Sequence, residues 1–170
     1  MTAVRTICPS EWQQYKAIRL RALSDSPTAF GSTLAQEAQR IDAQWQDRLA
    51  LAATSNVDLP LFAVSGAEPI GLAWAKVDGV NPSCINLFQM WVAPEHRGQH
   101  TATRLLEHVI QWARSKGTAW LSLGVTCGDT PAVRFYLKAG FVAFGAPEPL
   151  REGSSIQAQN MRLTLVQNAA

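Results

Sequence analysis

A chain of 170 residues with 47% apolar and 16% charged side chains is long enough to bury a self-sufficient core and too apolar to be disordered. Its formal charge of +2 gives no bulk attraction to nucleic acid, and no apolar run approaches the roughly 18 residues of a membrane span. Met1 to Trp12 lacks the apolar stretch of a secretory leader. Cys8, Cys84 and Cys127 are odd in number and share no metal spacing, so a reducing cytoplasm and a metal-free fold are expected.

In chain order, Ala3 to Ile7 reads as a first strand. Cys8-Pro9-Ser10-Glu11 follows as a helix entry, with Ser10 as the expected N-cap. Trp12, Tyr15, Ile18, Leu20 and Leu23 keep helical spacing until Ser24-Asp25-Ser26-Pro27 breaks it, and a loop runs to Ser32. One further helix is expected over Leu34 to Ala53, with Trp45, Leu49 and Ala52 on its stripe. The period then shortens. Leu61 to Val64 and Ile70 to Val77 form a hairpin across Gly66-Ala67-Glu68-Pro69. Cys84 to Val92 is a strand that is apolar on both sides, as a central strand covered on two faces must be. Regular alternation there puts Ile85, Leu87 and Gln89 on one face and Asn86, Phe88, Met90 and Val92 on the other. A turn at Ala93 to Gly98 leads into a helix striped by Ala102, Leu105, Leu106, Val109, Ile110 and Ala113, which Gly117 ends. Trp120 to Val125 is a strand, and Thr130-Pro131 starts a helix that runs to Lys138. Phe141 to Phe144 is short and extended. Gly145 to Gln157 is a loop, and Met161, Leu163 and Leu165 mark a half-buried last strand. The order β-α-α-β-β-β-α-β-α-β-β predicts one α/β domain over residues 1–170, a mixed sheet flanked by helices.

The junction after Val92 carries the chemistry. A strand that turns directly into a helix exposes unpaired amides at the helix start, where the dipole favours an anion. Arg97 adds a positive charge there, His96 and His100 add donors, and Thr101 and Thr103 add hydroxyls. Nothing acidic lies between Glu95 and Glu107, so a phosphate or pyrophosphate is the natural guest. The glycine fingerprints of dinucleotide folds and of Walker-type loops are absent.

Trp91-Val92-Ala93-Pro94-Glu95-His96-Arg97-Gly98-Gln99-His100-Thr101-Ala102 resembles the acyl-CoA signature of the GNAT superfamily of N-acetyltransferases, Gln/Arg-x-x-Gly-x-Gly/Ala after a Val-x-Pro-x-x-Arg-Gly turn. Arg97 and Ala102 match its ends, and His100 stands where the central Gly is usual. Downstream, Asp129, Ala132, Tyr136, Gly140 and Phe141 fall at the offsets of the family's Asn-x-x-Ala-x-x-x-Tyr-x-x-x-Gly-Phe block, with Asp in place of Asn. The match spans Ile70 to Phe144.

The resemblance implies a GNAT-like fold and acetyl-CoA as cosubstrate, with no metal. It implies that the amides of Gly98, Gln99, His100, Thr101, Ala102 and Thr103 cradle the pyrophosphate with support from Arg97, and that Asp129 lies nearby. The strand edge at Met90, Trp91 and Val92 pairs with the pantetheine arm, where neighbouring strands splay apart. Tyr136 protonates the departing thiolate, and a backbone amide near Trp91 or Val92 meets the developing oxyanion. An alkylammonium acceptor with a pKa of about 10.4 costs about 4.6 kcal/mol to deprotonate at pH 7. Glu37 is the candidate base, because that region often lines the acceptor groove in this superfamily, and a water chain is the alternative. Cys127 has no histidine partner in view, so direct transfer in a ternary complex is expected over a covalent enzyme.

The acceptor is a small-molecule amine or a protein or peptide amine. It is expected between the early helices and the late loop, with Ser26 to Ser32, Trp45, Trp74 and Gly145 to Ser155 as walls and Asp25, Glu148 and Glu152 as attracting charges. No nucleic acid or membrane partner is expected, and the chain is expected to be a monomer or a homodimer. Two other readings stand beside catalysis: a non-catalytic acyl-CoA-binding module, and a phosphate- or nucleotide-binding α/β protein outside the family.

Overall fold

The computed structural model describes residues 1–165. Its strands are β1 (Thr2–Thr6), β2 (Asp58–Ser65), β3 (Glu68–Val77), β4 (Cys84–Val92), β5 (Trp120–Thr126), β6 (Val142–Ala143), β7 (Glu148–Pro149) and β8 (Gln157–Thr164). Its helices are α1 (Trp12–Asp25), α2 (Leu34–Ala38), α3 (Asp42–Ser55), α4 (Thr101–Ser115) and α5 (Pro131–Lys138), with 3-10 turns at Pro9–Glu11 and Pro94–His96. The strands form one sheet in the order β1-β2-β3-β4-β5-β8-β6, with β7 on β8. All pairings are antiparallel except β4 with β5.

Alternation along the strands feeds two cores. Leu61, Ala63, Ala73, Ala75, Leu121 and Leu123 face α4 and α5, where Leu105, Leu106, Val109 and Ala113 cover them. Phe62, Val64, Leu72 and Trp74 face α1 and α3, against Tyr15, Ile18, Trp45 and Leu49. Each fully buried large side chain contributes about 1.5–3 kcal/mol of transfer free energy. Gly71 faces α4 at the closest approach: a Cβ there would lie 3.2 Å from Leu105 Cδ1 and 3.1 Å from Ala63 Cβ.

Three local expectations are corrected. Ser10 does not cap α1. The helix follows the 3-10 turn, and Glu11 takes the capping part by accepting from the Cys8 amide at 2.8 Å while Arg5 holds its carboxylate at 2.6 Å. The helix expected over Leu34 to Ala53 is two helices. Thr33 caps the first through the Gln36 amide at 3.2 Å, and the chain extends at Ile41, whose amide donates to Gln44 Oε1 at 3.0 Å, before α3 begins. The late loop carries β7, which extends β8 back to Gln157. Among the described residues no helix is long and apolar enough to cross a membrane, and no group of three or more His, Cys, Asp or Glu side chains is placed to hold a metal.

Candidate active site

The sheet is split in its middle. β4 and β5 pair only from Cys84↔Trp120 to Asn86↔Ser122. Beyond that point β5 stays with β8 as far as Thr126↔Ala158, and β4 stays with β3 as far as Gly71↔Val92. The edge of Leu87 to Val92 that faces β5 therefore has no strand partner, and apart from the Val92 carbonyl, which a side chain takes, its main-chain polar groups have no strand to pair with. A bulge marks the split. Between Trp74↔Phe88 and Leu72↔Trp91, β4 carries one more residue than β3, and Gln89 takes φ 58°. Gln89 Oε1 accepts from the Tyr15 hydroxyl at 2.9 Å, which fixes this conformation from the α1 side.

The bulge overturns the expected alternation. Met90 and Val92 join Ile85 and Leu87 on the α4 face, while Trp91 turns to the α1 face. There Trp91 is buried, and its Nε1 donates to Asp25 at 3.0 Å.

At the top of the split, the 3-10 turn delivers the chain to α4. Gly98 has φ 73° and His100 φ 61°, both left-handed. Alternation of this kind turns successive N–H groups into one concavity, the geometry of an anion nest. Among the described residues no group accepts from the amides of Gly98 to Thr103. Space above Gly98 is open, and Thr101, 2% exposed, keeps a buried Oγ1 without a partner. His100 meets the left-handed requirement that glycine usually fills, since histidine is among the side chains enriched there. Ala102 and Thr103 are half-buried, and Gln99 reaches back to the Glu95 carbonyl at 3.4 Å.

Arg97 does not extend freely into this corner. Its Nε donates to the Val92 carbonyl at 2.9 Å and its Nη2 to Asp25 at 2.6 Å. The charge expected at the corner is therefore already partnered, and it straps the turn to the end of α1. The remaining N–H groups of the fork are uncommitted. Asp25 is itself held down to about 2 by the Ser26 hydroxyl, then by the Trp91 indole and Arg97. It is thus engaged rather than waiting for a cationic amine.

Tyr136 lies on α5 with its ring edge-on to Phe135 and Phe141, at 5.2 and 5.5 Å. Burial pushes its phenol up, so it stays protonated at neutral pH. Asp129 is 86% exposed and bonded to Arg134 at 2.6 Å, while Thr130 caps α5 through the Val133 amide. Asp129 thus does not cap the helix, and its carboxylate is paired with Arg134. Glu37 is neither an exposed helix carboxylate nor an open base. It is 3% exposed, and its Oε2 accepts from Arg40 Nε at 3.2 Å and Arg48 Nη1 at 3.3 Å. Its lone pairs are committed to guanidinium groups.

At the foot of the split, on the face away from α4, a cleft of about 380 Å³ is lined by Asn86, Phe88, Ser122, Gly124, Asn160 and Arg162 among others. The Arg162 guanidinium lies 4.3 Å from the Phe144 ring centroid and 4.8 Å from that of Trp120. Asn160 and Arg162 were outside the expected site. They sit on a strand remote in sequence, and only their register opposite Gly124 and Ser122 brings them here. Of the expected walls, Trp45 (0% exposed) and Trp74 (6%) belong to the core beside Tyr15. The early and late loops do meet: Arg151 donates to the Phe30 and Pro27 carbonyls at 2.8 and 3.4 Å.

Residues 18–141 match the model of the acetyltransferase (GNAT) family. The chain is 33% identical over 69 residues, 41% of its length, to the streptothricin acetyltransferase of Streptomyces lavendulae, of which it covers 36%. It is 30% identical over 122 residues, 71% of its length, to the mycothiol acetyltransferase of Stackebrandtia nassauensis, of which it covers 37%. It spans less than half the length of the curated relatives it matches. In fold it resembles yncA of Salmonella typhimurium, solved with its cofactor acetyl-CoA, at a TM-score of 0.80 and 17% identity, covering all of this chain and 97% of that one. A split sheet, a bulged strand and a nest of free amides at the next helix thus coincide with a family match over most of the sequence, and the chain belongs to the GNAT family of acetyltransferases.

Proposed function

We propose that residues 1–170 form one acetyl-CoA-dependent N-acetyltransferase domain, which passes an acetyl group to a primary amine by direct attack in a ternary complex. The observation that carries this reading is the run of unpaired amides from Gly98 to Thr103, set at the mouth of a split whose β4 edge is also unpaired.

On this reading the nest and the α4 dipole hold the pyrophosphate, with the buried Thr101 hydroxyl as a further donor. The main chain of Met90, Trp91 and Val92 takes the pantetheine arm as an added strand would be taken. Arg97 keeps the turn in place and lends the rest of its fork. Acetyl-CoA supplies an acyl group already activated as a thioester. The chain supplies position: an amide near Trp91 or Val92 faces the developing negative charge, and the Tyr136 hydroxyl offers its proton to the leaving sulfur. Glu37 is better read as an anchor for arginines than as the base, so the ammonium proton leaves through water. Asp129, which points outward, has no direct part. The three free cysteines suit a reducing compartment, the cytoplasm.

Calorimetric titration with acetyl-CoA, together with thiol release over an amine panel, tests the proposal. Binding with turnover is the expected result. Binding with no turnover on any amine would leave a CoA-binding module, and no binding would remove the reading.

A further inference from the structure

The region around Glu37 holds more positive charge than it neutralises. Arg40 and Arg48 bond its carboxylate, and Arg48 Nη1 also donates to the Tyr15 hydroxyl at 3.2 Å. Arg19, on α1, lies in the same field: the Glu37 carboxylate and the Arg48 and Arg40 guanidinium groups all act on it electrostatically. Yet Arg19 makes no ion pair. It is 3% exposed, its Nε and Nη1 are buried without a partner, and its guanidinium lies 4.7 Å from the Phe30 ring centroid. Two guanidinium groups thus share one carboxylate while a third beside them has none, and among the described residues no second carboxylate pairs with them. Stacking on a ring offsets only part of the cost of burying a cation, because the N–H donors still lack acceptors. Burial lowers the Arg19 pKa, as an unpaired cation requires.

The position of this cluster gives it a meaning. The Tyr15 hydroxyl joins it to Gln89, the bulge residue at which β4 leaves β5. The cluster therefore sits on the α1 face of the sheet, opposite α4, beside the split. This inference rests on the reading proposed above; with the acceptor placed, as the sequence leads us to expect, between the early helices and the late loop, that is the side from which it arrives.

We infer that the acceptor carries a carboxylate as well as its amine, and that Arg19, with Arg48 and Arg40, forms the subsite that holds that carboxylate. A planar carboxylate suits the fork of a guanidinium, and its charge balances what Glu37 leaves over. The ligand class is a small amino acid rather than a polyamine, whose extra cations would be repelled.

The test pairs each of a series of α- and ω-amino acids with its own carboxamide in the thiol-release assay. The carboxamide's amine is less basic and more fully deprotonated at neutral pH, so intrinsic reactivity favours it, and a preference for the acid must come from recognition. The expected result is at least a tenfold preference for one or more acids in kcat/KM. Arg19→Met should abolish that preference by raising KM for acids while leaving carboxamides unchanged. Arg48→Met, at a more exposed site, should show the same pattern if Arg19→Met does not fold. Equal use of acids and carboxamides, or equal losses on both, overturns the inference.

Calorimetry with N-acetyl amino acids and their N-acetyl carboxamides separates this inference from the enzymatic reading. Binding of the acids alone, lost in Arg19→Met, upholds the subsite even if no acetyl-CoA is bound. Acetyl-CoA binding with neither turnover of any acid nor binding of any N-acetyl acid sinks the subsite and leaves the cofactor reading standing.

Discussion

Asp25, the last residue of α1, accepts from Arg97 Nη2 at 2.6 Å and from Trp91 Nε1 at 3.0 Å, although 72 and 66 residues separate the partners. One carboxylate thus ties the first helix both to the strand that borders the split and to the turn that presents the nest. The α1 face of the sheet and the start of α4 are coupled through it.

That coupling is measurable. Asp25→Asn and Arg97→Ala should each destabilise the fold by about 1 kcal/mol, since the pair is partly exposed, and the double variant should lose less than the sum. The Asp25 carboxyl titrates at about 2 in the folded chain against an ordinary 3.8. A lowered folded value means that its stabilisation is complete above the ordinary value and is lost as pH falls toward 2. Urea midpoints of wild type and Asp25→Asn should therefore differ most near neutrality, draw together below the ordinary value of 3.8 and converge only near pH 2. A constant gap would show that the carboxylate's charge is irrelevant.

Tyr136→Phe separates a packed ring from a working hydroxyl. The ring touches Phe135 and Phe141, and burial alone shifts the phenol, with no hydrogen bond contributing. The variant should keep its melting temperature and its acetyl-CoA affinity within about twofold. Its kcat should fall about a hundredfold, the lower range for loss of a general acid. Unchanged turnover would leave Tyr136 as core alone.

His100→Gly should stabilise the protein by up to about 1 kcal/mol, because a side chain held at φ 61° carries a steric cost that glycine lacks. Coenzyme A should bind as well or better. His100→Val should do the reverse in both respects. A marked loss of affinity in His100→Gly would instead make the imidazole a ligand group.

Gly71→Ala tests the seat of α4. The new methyl would crowd Leu105 Cδ1, Ala63 Cβ and the Trp91 carbonyl, all within 3.1–3.2 Å. Overpacking of this kind costs about 1–3 kcal/mol, and its relief would shift α4 and the nest with it. Thermal unfolding and CoA titration should both register the change.

Most of the elements were legible because their causes are local. The stripe of Leu105, Leu106, Val109 and Ala113, the Pro131 entry to α5 and the β2–β3 hairpin are specified by neighbours a few residues apart. The corner from Arg97 to Thr103 was legible for the same reason, since a strand-turn-helix exposes its amides whatever packs around it. The sequence by itself determined the element order, save for the break between α2 and α3 and the short β7, together with the two-sided sheet and a helix start with exposed amides.

Tertiary structure alone decided which side chains are free to act. The bulge at Gln89 is met by a hydroxyl from Tyr15, and it turned Met90 and Val92 to the face opposite the one that alternation assigns. Arg97 and Asp25 satisfied each other, Glu37 was enclosed by Arg40 and Arg48, and Arg19 was left buried without a partner. The physical reason is range. Periodicity and capping are set by contacts a few residues apart, whereas the pairing of charges and the trapping of an unpaired one depend on which distant segments the folded sheet brings together.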